Sequence, residues 1–229
     1  MKVEDNWDEE IDMALCAVIM GLAYVLAGIT HFLMPREQLH MASGIQLSFF
    51  ESLNRSSGAF KIHYWAIMIA ALAGAAVVVG IGDALGMKQG MMLLIFRTGA
   101  ICGFLVTALS FGLMLNRAVR ISRMWSSLSE NTQETIHTHG LPNLDPFGLF
   151  GFGLVGLWLL VFNVAAINAG TLPVWHGIVG CVGGILYVAV LIGMIFHVGF
   201  LVDISAALGC IVVAPLWSFV LAVFLLQRF

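Results

Sequence analysis

Long apolar runs alternate with short polar connections along almost the whole chain. A helix of about 20 predominantly apolar residues is long enough to cross the ~30 Å hydrocarbon core of a bilayer. Runs of roughly that length occur at 13–34, 63–82, 91–115, 147–167, 174–197 and 201–226. The pattern therefore predicts an all-α, polytopic integral membrane bundle of six helices, with a single transmembrane domain over residues 1–229.

Two of the polar connections are longer than the others. In residues 36–61, apolar side chains are interleaved with serine, glutamine and glutamate, as in a short amphipathic segment at the level of the lipid headgroups. Residues 126–145 include Gly140 and Pro142, and are predicted to form a loop. In the sixth run we expect a kink at Pro215, because proline lacks the N–H that a helix needs.

Three arginines extend the third apolar run beyond the membrane. Arg117, Arg120 and Arg123 recur every three residues, so they stay close to one face of a continuing helix. Basic side chains at this position attract anionic lipid headgroups, at about 1 kcal/mol each. Contact with lipid headgroups is therefore the predicted role of this row, with a docking surface for a soluble partner as the alternative.

Composition strengthens the membrane assignment and narrows the classes of partner. The chain is 60% hydrophobic and 10% charged, whereas soluble domains are about 45–50% apolar and about 25% charged. The net charge is −3, and no basic tract indicates nucleic acid binding. The four cysteines lie singly in apolar runs, without the paired spacing of a metal site, so we expect small, buried core residues.

The bias of lysine and arginine in the connections predicts an orientation. With six spans both termini share a side, and that side carries Lys2, Lys88 and Arg228. The opposite side carries Arg36, Arg55 and Lys61 together with the arginine row. We therefore expect a multi-pass protein of the plasma membrane whose two termini lie outside the cytoplasm.

Polar groups near the outer ends of the runs form one candidate site. Arg97 lies six residues into its helix, about 9 Å from the end, and must reach outward or find an acceptor. Asp83 begins the preceding turn on the same side, so an Asp83–Arg97 pair is the simplest solution. Such a pair fixes the packing of two spans. The alternatives are a ligand or anion site built on Arg97, with His176 in the same layer, and simple outward extension of Arg97.

Histidines at the inner ends of three spans form a second candidate site. His31, His63 and His197 lie near the same boundary and could converge on a cofactor. Neutral imidazole ligates haem iron, chlorophyll-type magnesium and other metals. Histidines at a membrane boundary are also common without any such role. A haem or pigment site, a metal site and ordinary boundary residues therefore all stay open.

The hairpin between the fourth and fifth runs carries a resemblance to known proteins. From Asn168 to Tyr187, a short Leu-Pro-Val-Trp turn opens a glycine-rich helix. This segment resembles one in small bacterial six-helix integral membrane proteins of unknown function. The resemblance implies a helical bundle and no catalytic residue. Within the chain itself, Gly21-Leu-Ala-Tyr24 is similar to Gly184-Ile-Leu-Tyr187, which fits either a duplicated three-helix unit or coincidence.

The functional hypotheses follow from what the runs contain. No phosphate-binding glycine loop, nucleophile elbow or HExxH motif is present, while small residues provide faces for close helix contact at Gly99 and Gly103 and at Gly177, Gly180 and Gly184. We therefore expect a non-enzymatic accessory or structural subunit of a larger membrane assembly, in contact with lipid and with other subunits or copies of itself. One alternative is a haem- or pigment-binding membrane subunit that uses His31, His63 or His197. The other is a small-molecule or lipid transporter or sensor that uses Arg97, Asp83 and His176.

Overall fold

The structure, a computed structural model, describes residues 7–39, 47–87, 90–141 and 143–227. Throughout these ranges the regular structure is helical, and no strand occurs in them. The α-helices of the described residues are α1 (Trp7–Leu33), α2 (Leu47–Arg55), α3 (Gly58–Ala84), α4 (Met91–Met124), α5 (Glu130–His139), α6 (Val155–Ala169), α7 (Val174–Ile195), α8 (Gly199–Ala207) and α9 (Ala214–Leu226).

Six helical stretches are long and apolar enough to cross a membrane, which confirms the predicted all-α multi-pass bundle. They are formed by α1, α3, α4, α6 with a preceding π-helical segment (Leu149–Leu154), α7, and α8 joined to α9 by a second π-helical segment (Leu208–Val213). As the arginine row indicated, α4 continues beyond the apolar run, to Met124.

Successive spans pack against one another around a ring. Contacts join α1 to α3, α3 to α4, α4 to α6, α6 to α7 and α7 to α8, and α9 closes the ring on α1. The interior is filled by side chains of every span, and Val77, Phe162 and Leu221 are each at most 1% exposed. Neighbours in sequence are therefore also neighbours in space.

The glycine-rich faces form close helix–helix contacts inside this ring. A Cβ atom at Gly184 would lie 2.7 Å from Leu160 Cγ and 2.8 Å from the Gly156 carbonyl oxygen. A Cβ atom at Gly103 would collide with the carbonyl oxygen of Phe150. Glycine is thus required for the close approach of α7 to α6, and of α4 to the segment that leads into α6.

Each π-helical segment adjoins a residue that departs from regular α-helix geometry. Pro215 has no N–H to give to a carbonyl one turn earlier, and the wider turn of Leu208–Val213 precedes it directly. At the first segment, Gly148 takes a left-handed conformation (φ 69°), and Asp145 Oδ2 accepts a hydrogen bond from the Gly151 N–H at 2.8 Å. The bend expected at Pro215 is therefore accommodated by a change of helix type.

Outside the spans, α2 packs on the end of α4 and forms a second apolar core. Phe49, Phe50 and Leu53 are at most 1% exposed, and the Phe50 ring stacks on Trp125 with centroids 4.4 Å apart. The predicted amphipathic segment is present as α2, but its apolar face is covered by protein rather than by lipid. Its level at the lipid headgroups stays a prediction. The other apolar positions predicted there, Met41 and Ile45, lie outside the described residues.

Residues 130–139 form α5, so the predicted loop is wrong at this point. Ser129 caps the helix by accepting a hydrogen bond from the Thr132 N–H, and Gly140 ends it with a positive φ of 70°, which favours glycine. Gln133 Nε2 donates to the Trp125 carbonyl oxygen at 2.7 Å, which ties α5 to the end of α4. We call α2, the last turns of α4 and α5 the cap.

The cysteines correct one further expectation. Cys102 is exposed on α4, and Cys16, Cys181 and Cys210 are only partly buried. Cys102 lies on the same outward face as the exposed Leu105 and Leu109, which is the face directed toward lipid. A thiol behaves as a small apolar group, so it is tolerated there as well as in a core.

Candidate functional site

A small cavity lies on the axis of the ring, lined by residues from all six spans. Its volume is about 20 Å³. That is room for about one water molecule. The lining is apolar almost throughout, with Met20, Phe104 and Trp158 among its members. Near this cavity the interior is a packed core.

One polar cluster ties α6, α7 and α9 together. Trp217 Nε1 donates to Asn163 Oδ1 at 3.1 Å, and Asn163 Nδ2 donates to the Leu159 carbonyl oxygen at 2.7 Å. His176 Nε2 donates to the Trp217 carbonyl oxygen at 3.0 Å, and the two rings stack. Asn163 and His176 are fully buried, and His176 Nδ1 has no hydrogen-bond partner in the described part of the chain. This is the interior polar cluster.

A second buried cluster joins α1 to α7 and to both π-helical segments. The Tyr24 and Tyr187 hydroxyls are 3.1 Å apart, and the Tyr187 hydroxyl lies 3.6 Å from Cys210 Sγ. Phe152 of the first π-helical segment packs on the Tyr187 ring, with centroids 5.5 Å apart. The two tyrosines are the equivalent positions of the internal sequence similarity. Their contact shows that these two positions meet in the interior.

The Asp83–Arg97 pair expected from the sequence is present between α3 and α4. Arg97 Nη2 lies 3.4 Å from Asp83 Oδ2 and also donates to the Val79 carbonyl oxygen. The Asp83 side chain is 58% exposed and that of Arg97 18%. His176 does not share this site, because it is held in the interior polar cluster. The residues proposed for a transporter or sensor therefore lie in two separate clusters.

Two of the three candidate cofactor histidines are neighbours. The rings of His31 and His63 have centroids 5.8 Å apart, on α1 and α3, and both side chains are half-buried. His63 Nδ1 lies 2.9 Å from the Ala27 carbonyl oxygen and 3.4 Å from Thr30 Oγ1. Because a carbonyl oxygen only accepts, Nδ1 carries the proton and Nε2 the lone pair. His63 is thus fixed in one tautomer.

His197 stands apart from this pair. It is exposed at the end of α7 in a left-handed conformation (φ 57°), and no ring contact joins it to His31 or His63. Among the described residues, no group of three or more His, Cys, Asp or Glu side chains is arranged to hold a metal ion. Of the three candidate histidines, His31 and His63 therefore come together and His197 does not.

The arginine row lies at the same end of the bundle as His31 and His63, which we call the basic end. Arg120 and Arg123 line an open groove between α3 and α4 with a volume of about 610 Å³, and Lys61 of α3 faces them. Arg117 is exposed but does not line the groove. Each three-residue step turns a helix by about 300°, which places Arg117 about 120° from Arg123. We call this feature the basic groove.

The fold defines the protein as a multi-pass α-helical membrane protein. Comparisons of the chain with models of protein families, with curated proteins and with solved structures give no match. The similarity to small bacterial six-helix membrane proteins therefore stays a prediction. The class of protein is established by the six helices themselves.

The sequence did not predict a role for Trp217, and it marked Tyr24 and Tyr187 only as matching positions of an internal similarity. In the sequence Trp217 is an aromatic residue within an apolar run, and its partner Asn163 lies 54 positions earlier in the chain. An indirect signal was available, because a buried asparagine in a membrane helix needs a donor from another helix. Lys61 was used only to predict the orientation in the membrane. Its distance from the arginines depends on how α3 and α4 pack, which the sequence does not give.

Proposed function

We propose that this protein is a non-enzymatic accessory or structural subunit of a larger assembly in the plasma membrane, with both termini outside the cytoplasm. The observation that supports this most directly is the filled interior. The cavity on the bundle axis, about 20 Å³, has room for about one water molecule, whereas small-molecule sites typically occupy about 300–1,000 Å³. A filled bundle favours a role performed through the outer surface.

The cap supplies a surface suited to that role. Its own apolar core holds α2 against α4, and α5 is fastened to the Trp125 carbonyl by Gln133. No residue of α5 is buried, and Glu134 is exposed in its middle. An exposed helix on a rigid base presents a defined face, which favours contact with a neighbouring subunit or a second copy of this chain.

The test is purification of the full chain from gently solubilised membranes, with composition and mass determined by mass spectrometry and light scattering. We expect a complex of fixed stoichiometry, with other subunits or with further copies. Glu134→Lys should release the partner. Asp12→Lys, which reverses an exposed carboxylate on α1 away from the cap, should retain it. A lone monomer of the unaltered protein would contradict the proposal.

One observation favours a second candidate function, that of a haem- or pigment-binding subunit. His63 donates from Nδ1 to the Ala27 carbonyl, which leaves the Nε2 lone pair for a ligand. Metal-ligating histidines are commonly oriented in this way by a hydrogen bond from the other ring nitrogen. His31 brings a second imidazole within 5.8 Å, measured between ring centroids.

An absorption spectrum separates the two candidates. Protein purified from cells that make haem and chlorophyll-type pigments should show a visible band under the second candidate, and His63→Ala should remove it. His197→Ala is the matched control, because His197 is exposed and away from the pair. A spectrum with aromatic absorbance alone would exclude the second candidate.

A further inference from the structure

We propose that the basic groove binds one anionic phospholipid, with the lipid phosphate at its charged mouth and an acyl chain along its apolar floor. This goes beyond general attraction of the arginine row to the membrane, because it assigns a site with walls from two helices. It is also independent of the proposed accessory role.

Three basic side chains from two helices define the mouth. Lys61 of α3 faces Arg120 and Arg123 of α4 across the groove. In the described residues none of the three forms an ion pair with an acidic side chain. Concentrated positive charge without an internal counter-ion favours an external anion, and arginine suits phosphate because its planar donors bind two oxygens at once.

The floor of the groove is apolar and leads toward the membrane interior. Trp65 and Met68 line it on α3, and Leu115 lines it on α4. Trp65 and Met68 follow Lys61 by four and seven residues, which places them about 6 Å and about 10 Å further along the helix. A charged mouth above an apolar floor of this depth matches a lipid headgroup above its acyl chain. A free phosphate ion would leave the floor unused.

Gly112 of α4, which has no side chain, lines the floor of the groove. A Cβ atom there would lie 3.2 Å from Met68 Cε, which is the flexible end of a side chain. A larger residue at this position therefore fills the floor while the helices keep their places. Gly112→Leu offers a way to block the acyl chain without changing any charge.

Arg117 provides the matched control for charge. It is an exposed arginine on the same helix, one turn before Arg120, and it does not line the groove. General attraction to an anionic membrane would depend on Arg117 and Arg120 equally, at about 1 kcal/mol each, or about fivefold in affinity. A built site depends on Arg120 and not on Arg117.

The experiment is native mass spectrometry of the full chain extracted from vesicles of phosphatidylcholine with about one part in five phosphatidylglycerol, a fraction that gives an anionic surface. We expect one retained phosphatidylglycerol per chain in preference to phosphatidylcholine. Arg120→Gln should lower its retention about fivefold, and Arg120→Lys should restore most of it. Gly112→Leu should also lower retention, whereas Arg117→Gln should leave it unchanged.

A second readout uses Trp65. Phosphatidylglycerol with brominated acyl chains should quench part of the tryptophan fluorescence, and Trp65→Phe should remove that part. Equal loss of lipid from Arg117→Gln and Arg120→Gln, or equal retention of the two phospholipids, would overturn the proposal. Unchanged retention in Gly112→Leu would overturn the position of the acyl chain in the groove.

Discussion

Asn163 and Trp217 in the bundle interior bond to each other, whereas Arg120 and Arg123 at the basic end form no ion pair within the described residues. Both regions place polar side chains where lipid or protein surrounds them. In the interior, α6, α7 and α9 each contribute to one connected cluster, whose polar groups form hydrogen bonds mainly within the cluster. At the basic end, Lys61, Arg120 and Arg123 instead line an open groove.

This difference separates polar groups that hold the fold from polar groups that are available to a ligand. Burying a polar group costs free energy unless it is hydrogen-bonded, so the polar groups of the interior polar cluster, apart from His176 Nδ1, bond to one another or to backbone. The basic end lies at the membrane boundary, where an uncompensated charge is tolerated and finds a partner outside the chain. Changes in the interior should therefore alter stability, and changes at the basic end should alter binding.

The largest effect is expected at Gly184. Gly184→Leu places a side chain against Leu160 and the Gly156 carbonyl oxygen, both under 3 Å from the new Cβ. Because backbone is in the way, α6 and α7 must separate, and we expect a loss of about 3 kcal/mol in the free energy of unfolding. Gly199→Ala is the control, since nothing lies within 4 Å of its Cβ position. Reversible unfolding in mixed micelles measures both, and equal stability of the two variants would contradict the packing described here.

The next effect is expected from Trp217→Phe, which removes the Nε1–H donor to Asn163. The buried amide oxygen loses its partner, so the free energy of unfolding should fall by about 1–3 kcal/mol. Trp65→Phe makes the same change at a residue that is 55% exposed, and it should lower the free energy of unfolding only slightly. The same unfolding assay compares the two, and a cost at Trp65 equal to that at Trp217 would remove the distinction between interior and periphery.

A smaller effect is expected from Tyr24→Phe. This change deletes one hydroxyl of the buried pair with Tyr187, at a cost of about 1 kcal/mol. Tyr187→Phe should cost more, because its hydroxyl contacts both Tyr24 and Cys210. The opposite order, measured by unfolding, would show that the tyrosine cluster is organised around Tyr24.

The smallest effect is expected from Asp83→Asn. The carboxylate is 58% exposed, and exposed ion pairs contribute about 0–1 kcal/mol. Arg97 keeps its bond to the Val79 carbonyl in this variant. A loss above about 2 kcal/mol would exceed what such a pair supplies and would assign the pair a larger structural role.

The sequence predicted the spans well because apolar length alone decides them. The Asp83–Arg97 pair was also predictable, since both residues lie close to one short turn. The cap was not predictable from the sequence, because Phe49 and Phe50 give the same amphipathic pattern whether lipid or protein covers them. Only the position of Trp125, brought over α2 by the extension of α4, decides between the two.

The candidate sites show the same limit. His31 lies near the end of α1 and His63 near the start of α3, so their contact follows from the direct packing of these two helices. His197 shares their side of the membrane but lies on a span that is not adjacent to α1 or α3 in the ring. The small-residue faces were predicted to make close contacts, but the sequence did not say that the partners are helices of the same chain.

Native mass spectrometry with a temperature ramp tests the central distinction most directly, because it reads the folded fraction and the bound lipid in one sample. Trp217→Phe should unfold at a lower temperature while each folded molecule retains phosphatidylglycerol as the unaltered protein does. Arg120→Gln should unfold at an unchanged temperature, measured without added phosphatidylglycerol, and lose the lipid. Loss of lipid from folded Trp217→Phe, or early unfolding of Arg120→Gln, would contradict the separation of a structural interior from a ligand-binding basic end.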